Sequence, residues 1–150
     1  MTPTKKLRVL YLEDDLDNRE MVEFMFRQAG IDVAVATTLE EAWRLAKTQI
    51  FDLYLLDGLL DGISSLDLCR NLHLFAPLTP ILFYSALAYA ADIQNGLAAG
   101  AEDYLVKPYF GDLSATVTAA VKKSKMPIET FVPDGIASLT PALKSFQTNN

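Results

Sequence analysis

Asp57 closes the stretch Phe51-Asp52-Leu53-Tyr54-Leu55-Leu56, an apolar run that stops on an ionisable carboxylate. A short apolar run bounded by turn residues reads as a buried parallel strand, and Gly58 and Gly62 mark a turn beyond it. In open α/β sheets ligands bind at the carboxyl ends of the strands, so Asp57 belongs on that rim. Glu13 and Asp14 follow an earlier apolar strand, Leu7 to Leu12. With the strands in the order 2-1-3-4-5 these two are neighbours, about 4.8 Å apart, and three carboxylates share one rim. Their repulsion must be relieved by a proton or a cation. All-oxygen donors in a surface cleft suit Mg²⁺, which keeps several waters and seldom has an all-protein cage. Ser85 and Lys107 end two further strands on the same rim. A cation site, a lysine and a hydroxyl around one aspartate can hold a phosphoryl group. Asp57 can then act as the nucleophile that accepts it, because carboxylates form aspartyl phosphates.

The elements that must bring these residues together alternate along the chain. After the first strand, Asp17 and Glu20 have capping-box spacing for a helix whose face is Met21, Val22, Met25, Phe26 and Ala29, stopped by Gly30. Asp32 to Thr37 reads as a short strand. Thr38 can cap a helix with Leu39, Ala42, Trp43 and Ala46 at helical spacing. The Asp57 strand is third, with Asp52 as a solvated residue at its start. Ser64 or Ser65 can cap a helix carrying Leu68, Cys69, Leu72 and Phe75. Pro80 to Ser85 is the fourth strand. Ala90 to Ala99 is an Ala-rich helix in which Gly96 costs about 1 kcal/mol relative to Ala. Tyr104-Leu105-Val106 is the fifth strand. A last helix shows Leu113, Val117, Ala120 and Val121 on one face, with Lys122, Lys123 and Lys125 suiting its C-terminal dipole. Five strands alternating with five helices argue for a parallel sheet covered on both faces, a flavodoxin-like (βα)5 three-layer sandwich.

The chain has 150 residues, 51% of them hydrophobic and 21% charged, which suits one globular domain with a real core. A net charge of −6 with no long basic stripe argues against nucleic acid or an anionic membrane as partner. A single cysteine, Cys69, excludes an internal disulfide and a multi-cysteine metal site, and it reads as core. No apolar run suits a signal peptide or a membrane span, so a cytoplasmic location is the default expectation. Residues 6–125 are expected to form the domain. Residues 126–150 form an extension in which Thr140-Pro141 can start a short helix with Leu139, Leu143 and Phe146 on one side. His73 reads as a surface residue, Trp43 as helix packing, and Asp15 and Asp17 as caps.

Taken in order, Glu13-Asp14, Leu55-Leu56-Asp57, Ser85-Ala86 and Ala99-Gly100-Ala101-Glu102-Asp103-Tyr104-Leu105-Val106-Lys107-Pro108 resemble the receiver domain of two-component response regulators, over about Lys6 to Lys125. The resemblance implies roles position by position. Asp57 is the phosphoacceptor. Asp14 and Asp57 bind Mg²⁺ with the backbone carbonyl of Leu59, and Glu13 binds through water. Ser85 and Lys107 contact the phosphoryl oxygens, and Tyr104 is the switch aromatic, against the plainer reading of edge packing. It also implies a cis bond between Lys107 and Pro108. The phosphodonor would be a histidine kinase or a histidine phosphotransfer protein. The output would be a downstream protein held by the face of helix four, strand five and helix five, with a homodimer left open.

The loop after the acceptor departs from the family's usual Met-Met-Pro-Gly-Met-Asp-Gly-like pattern. Here it reads Gly58-Leu59-Leu60-Asp61-Gly62-Ile63-Ser64-Ser65, with Asp61 in the usual place of proline and Gly58 loosening the backbone beside the acceptor. Leu59 and Leu87 occupy the positions that orient or exclude attacking water in this family. Neither can hydrogen-bond a water, so a slowly decaying phosphoaspartate is expected. Two other readings stay open: a receiver used for binding without phosphorylation, and a metal-dependent phosphohydrolase with an aspartate nucleophile. The second commonly wants an acid two residues past the nucleophile, where this chain has Leu59.

Overall fold

Side chains alternate across a strand, so each strand of a doubly covered sheet feeds two cores at once. The computed structural model, which describes residues 5–126, shows this at every strand. The sheet strands are β1 (Arg8–Leu12), β2 (Asp32–Ala36), β3 (Leu53–Leu56), β4 (Ile81–Ser85) and β5 (Asp103–Val106). All neighbours pair parallel, in the order β2-β1-β3-β4-β5. The helices are α1 (Leu16–Gln28), α2 (Leu39–Thr48), α3 (Leu66–Phe75), α4 (Ala90–Ala98) and α5 (Leu113–Lys125). On one face Val9, Tyr11, Leu53, Leu55, Leu82 and Tyr84 pack with Val22 and Phe26 of α1 and Val117 and Val121 of α5. On the other, Leu10, Leu12, Tyr54, Leu56, Ile81 and Phe83 pack with Ala42 and Leu45 of α2 and Leu68, Cys69 and Leu72 of α3. The expected three-layer architecture and strand order are both present.

Local chemistry sets the helix starts, and three sequence expectations are corrected there. The cap of α1 is Asp15, whose carboxylate accepts the Asn18 N–H at 2.9 Å. Asp17 lies inside the first turn, where its charge favours the helix dipole, so the expected Asp17–Glu20 box is not the cap. Met21 is half exposed rather than on the buried face, because Val22 and Phe26 already fill the sheet side of this helix. Asp52 is not free in solvent: its carboxylate accepts the Arg8 N–H at 2.8 Å and Lys125 Nζ at 3.2 Å. Thr38 caps α2 as expected, accepting from the Glu41 N–H at 3.1 Å. The N-cap of α3 is Ser65, but its hydroxyl turns elsewhere, and Ser64 accepts the Leu66 N–H instead. The extension expected beyond Met126, with its helix at Thr140-Pro141, lies outside the described residues.

Between β3 and α3 the chain makes a small antiparallel hairpin, Leu59–Leu60 with Ile63–Ser64. Asp61 (φ 46°) and Gly62 (φ 79°) form its two-residue loop. An Asp-Gly pair with both φ positive is the type I′ turn that matches strand twist. Gly58 has no such backbone requirement. It is small because a Cβ there would stand 2.9 Å from Ser85 Oγ.

Candidate functional site

Backbone hydrogen bonds carry the sheet one residue past the strand ends, and this positions the site. Glu13 N–H donates to the Ala36 carbonyl at 3.0 Å, Asp57 N–H to the Leu12 carbonyl at 3.0 Å, and Lys107 N–H to the Ser85 carbonyl at 2.8 Å. Each is hooked to the neighbouring strand, so residues from four strand ends meet at one rim. Side-chain oxygens of Glu13, Asp14 and Asp57 all lie within 4.8 Å of one another. Lys107 Nζ donates to Glu13 Oε1, stands 3.7 Å from Asp57 Oδ2, and lies 5.0 Å from the centre of the Tyr84 ring. Ser85 is buried beside them, with Leu87 N–H donating to its hydroxyl at 3.2 Å. The peptide bond from Lys107 to Pro108 is cis, as the resemblance implied.

Glu13 is 1% exposed, an unusual place for a carboxylate. Its Oε1 takes hydrogen bonds from Lys107 and from the Tyr11 hydroxyl at 3.1 Å, while Oε2 has no partner among the described residues. An orphaned buried oxygen is costly unless a cation or water reaches it. Burial first, and then the Glu13 carboxylate, push the Tyr11 phenol far upward, so it remains a donor. Burial also raises Asp57, reinforced by Glu13 and opposed by the Lys107 charge and the Ser85 hydroxyl, and the carboxyl is pushed up to about 7. Asp14 is exposed, and its carboxylate accepts the Asp61 N–H at 3.1 Å. This donor set, all hard oxygen with surplus negative charge and an unpartnered lone pair, fits a small divalent cation.

Every side chain singled out for the rim in the sequence is therefore brought together: Glu13, Asp14, Asp57, Ser85 and Lys107. Leu59 opens the hairpin beside Asp57 and is half exposed. Tyr104 lies on the Ser85 side. It stacks on Phe83 with ring centres 5.3 Å apart, and its hydroxyl donates to the Leu87 carbonyl at 2.8 Å. Its ring fits because residue 96 is glycine: a Cβ there would meet Tyr104 Cδ2 at 2.9 Å and Phe83 Cδ2 at 3.0 Å. Three contributors were missed in the sequence. Ser65, fully buried, donates its hydroxyl to the Asp57 carbonyl at 2.5 Å. Tyr11 supports Glu13, and the Asp61 amide holds Asp14. Only Tyr11 carried a signal, being two residues before Glu13 and so on the same side of the strand.

A family model described as the response regulator receiver domain matches residues 9–119. The cell cycle response regulator CtrA of Brucella ovis is 35% identical over 130 residues, covering 86% of this chain and 56% of that protein. The CtrA protein of Brucella canis gives the same figures. The chain thus spans about half the length of the curated relatives it matches, 56%. Among solved structures, the receiver domain of the Francisella response regulator 1452 is 29% identical with a TM-score of 0.73, covering 80% of this chain and 100% of that one. A two-component response regulator from Clostridium difficile is 25% identical with a TM-score of 0.75, covering 81% and 100%. Because the family match begins in β1 and ends in α5, it takes in all four strand ends of the rim, and the chain belongs to the response regulator receiver domain family.

Proposed function

We propose that this chain is a phosphorylation-dependent signalling switch in which Asp57 accepts a phosphoryl group from a histidine of a histidine kinase or a histidine phosphotransfer protein. The observation that carries the reading is the convergence of three carboxylates within 4.8 Å of one another, with Lys107 Nζ 3.7 Å from the acceptor. An oxygen of Asp57 attacks phosphorus, the P–N bond breaks, and the imidazole leaves with the bonding pair and takes up a proton. Mg²⁺, when held by Asp14, Asp57, the Leu59 carbonyl and, through water, Glu13, supplies charge neutralisation at the phosphoryl oxygens. Lys107 neutralises a further oxygen and Ser85 donates its hydroxyl to another. The work of the site is positioning and electrostatics.

The product carries nearly two negative charges where the carboxylate carried one. Driving a two-state equilibrium from 1:99 to 99:1 takes about 5.5 kcal/mol of differential interaction. Hydrogen bonds to charged groups contribute roughly 1.5–3 kcal/mol each, so two or three new ones suffice. When Ser85 turns to the phosphoryl group it releases the Leu87 N–H, and Tyr104, bonded to the Leu87 carbonyl, moves with that loop. The face made by α4, β5 and α5 then changes shape for a downstream protein. The switching unit is residues 6–125 and acts in the cytoplasm; no helix among the described residues is long and apolar enough to cross a membrane. It is an acceptor rather than a turnover enzyme, and with Leu59 and Leu87 near the acceptor its phosphoaspartate decays slowly. The test is label uptake from a small phosphodonor in Mg²⁺. Asp57→Ala should abolish it, and undiminished uptake would overturn the assignment.

A further inference from the structure

The edge of the sheet opposite the phosphoacceptor carries a groove of about 560 Å³ between the C-terminal ends of α2 and α3. Its walls include Arg8, Lys47, Ile50, Phe51, Tyr54 and Phe75. Ile50 is 84% exposed and Phe75 50% exposed, so large apolar surface faces outward there. Two cations lie over the rings of this region: Arg8 at 5.1 Å from the Phe51 centroid and Lys47 at 5.4 Å from that of Trp43. Among the described residues neither the Arg8 guanidinium nor Lys47 has an acidic partner. An apolar groove flanked by two such cations suits an occupant that is both apolar and acidic.

The chain itself supplies a complementary segment at that rim. Lys125, in the last turn of α5, is fastened to Asp52 at 3.2 Å, one residue from the groove wall at Phe51. Met126, the last described residue, directly follows Lys125 and so lies at the same edge of the sheet as the groove. From Pro127 to Leu143 the chain contains Glu129 and Asp134 and no Lys or Arg, with Ile128, Phe131, Val132 and Ile136 between and around the acids. We infer that the segment Pro127–Ile136 of the same chain docks in this groove, its apolar side chains against Phe51, Tyr54 and Phe75 and its two carboxylates toward Arg8 and Lys47. A short tether gives an effective concentration in the mM range, so an intrinsic affinity of only about 1 mM would fill roughly half the grooves. A separate molecule would have to bind far more tightly to compete. Docking here leaves the Asp57 rim open, so the extension braces the domain without covering its chemistry.

Paramagnetic broadening in the full-length chain tests this. A nitroxide is attached at Ser138→Cys; Cys69 is fully buried and stays unlabelled. Amide signals of Gln49–Phe51 and of Phe75, Ala76, Leu78 and Thr79 should be lost with the label oxidised and return when it is reduced. The loss should be unchanged on dilution and abolished by Ile50→Glu, which adds a negative charge at an exposed position facing the two acids. Unaffected groove signals would overturn the inference. So would a loss that survives Ile50→Glu, or one that fades on dilution and appears in mixtures of labelled and isotope-enriched chains, which would mean a second copy occupies the groove. Protein folding is checked by the amide spectrum of the Asp57 rim, which Ile50→Glu should not move.

Discussion

The Ser85 hydroxyl accepts the Leu87 N–H at 3.2 Å and lies against the backbone of Gly58. That approach exists only because residue 58 has no side chain. Gly58→Ala would put a methyl group 2.9 Å from Ser85 Oγ. The hydroxyl is the free end of a short side chain and can rotate away, so the fold should survive. What would be lost is the contact to the phosphoryl group that we propose for Ser85, and a hydrogen bond to a charged group is worth roughly 1.5–3 kcal/mol, or about 10- to 100-fold in rate. Single-turnover phosphorylation should slow by that factor while the denaturation midpoint stays close to wild type; an unchanged rate would remove Ser85 from the mechanism. Asp57 makes a second expectation, about pH. Burial, then Glu13, hold its carboxyl up at about 7, against 3.8 as the ordinary value. The folded state therefore binds a proton that the unfolded chain has released. Its contribution to stability is complete below about 3.8 and is lost as pH rises through about 7. With a chelator present, denaturation midpoints should fall as pH rises from about 3.8 to about 7 and level off above it, and saturating Mg²⁺ should restore them at the upper end. Asp57→Asn should flatten the slope, and an identical slope in that variant would refute the account.

At the scale of elements, the hairpin after β3 and the glycine of α4 each position one member of the site. Asp61 adopts φ 46° and offers its N–H to the Asp14 carboxylate at 3.1 Å. Proline, the residue usual in related loops, fixes φ near −65° and has no N–H, so it fails on both counts here. Asp61→Pro should weaken Mg²⁺ binding measured by calorimetry by about tenfold or more, the value of one hydrogen bond to a charged group; equal affinity would show that the hairpin does not hold Asp14. Gly96→Ala brings a similar contest. Alanine gains about 1 kcal/mol of helix propensity, but its methyl meets the Tyr104 and Phe83 rings, and overpacking costs typically 1–3 kcal/mol. We expect net destabilisation, with the Tyr104 hydroxyl displaced from the Leu87 carbonyl and its ring signals shifted. The sequence disclosed which elements exist because apolar period and caps are local properties. It did not disclose the hairpin, since two-residue strands carry no periodicity. It also left Gly58 and Gly96 looking like defects, because the atoms that need their space, Ser85 Oγ and the Tyr104 ring, come from strands 27 and 8 residues away along the chain (85 − 58; 104 − 96). Ser65 was legible as a cap candidate but not as a donor to the Asp57 carbonyl, which depends on how the hairpin returns.

For the whole molecule, five apolar strands alternating with five helices sufficed to set the layers, and the strand-end position of each polar residue sufficed to gather the rim; the strand order came from the common arrangement of doubly wound sheets and not from any residue. Which oxygen Lys107 meets, and what the opposite edge does, depend on side-chain placement that no spacing encodes. The molecule divides into two edges with a rigid sheet between them. At the carboxyl edge, Leu87 to Tyr89 joins β4 to α4 through few backbone bonds, and its contacts to Ser85 and Tyr104 are side-chain bonds that can be exchanged. At the amino edge, Asp52 ties β1, β3 and α5 together through the Arg8 N–H, the Arg8 carbonyl and Lys125. Segments held by few buried contacts open first, and those clamped in a ladder open only with the domain. Hydrogen exchange on the full chain with Mg²⁺ and a small phosphodonor should therefore change protection at Leu87–Tyr89, in α4 and in β5. Arg8 and Leu53–Leu56 should keep theirs. If protection at Arg8 moved as much as in α4, the sheet would not be the fixed frame on which this switch turns, and the response would have to be a loosening of the entire domain rather than a rearrangement of one edge.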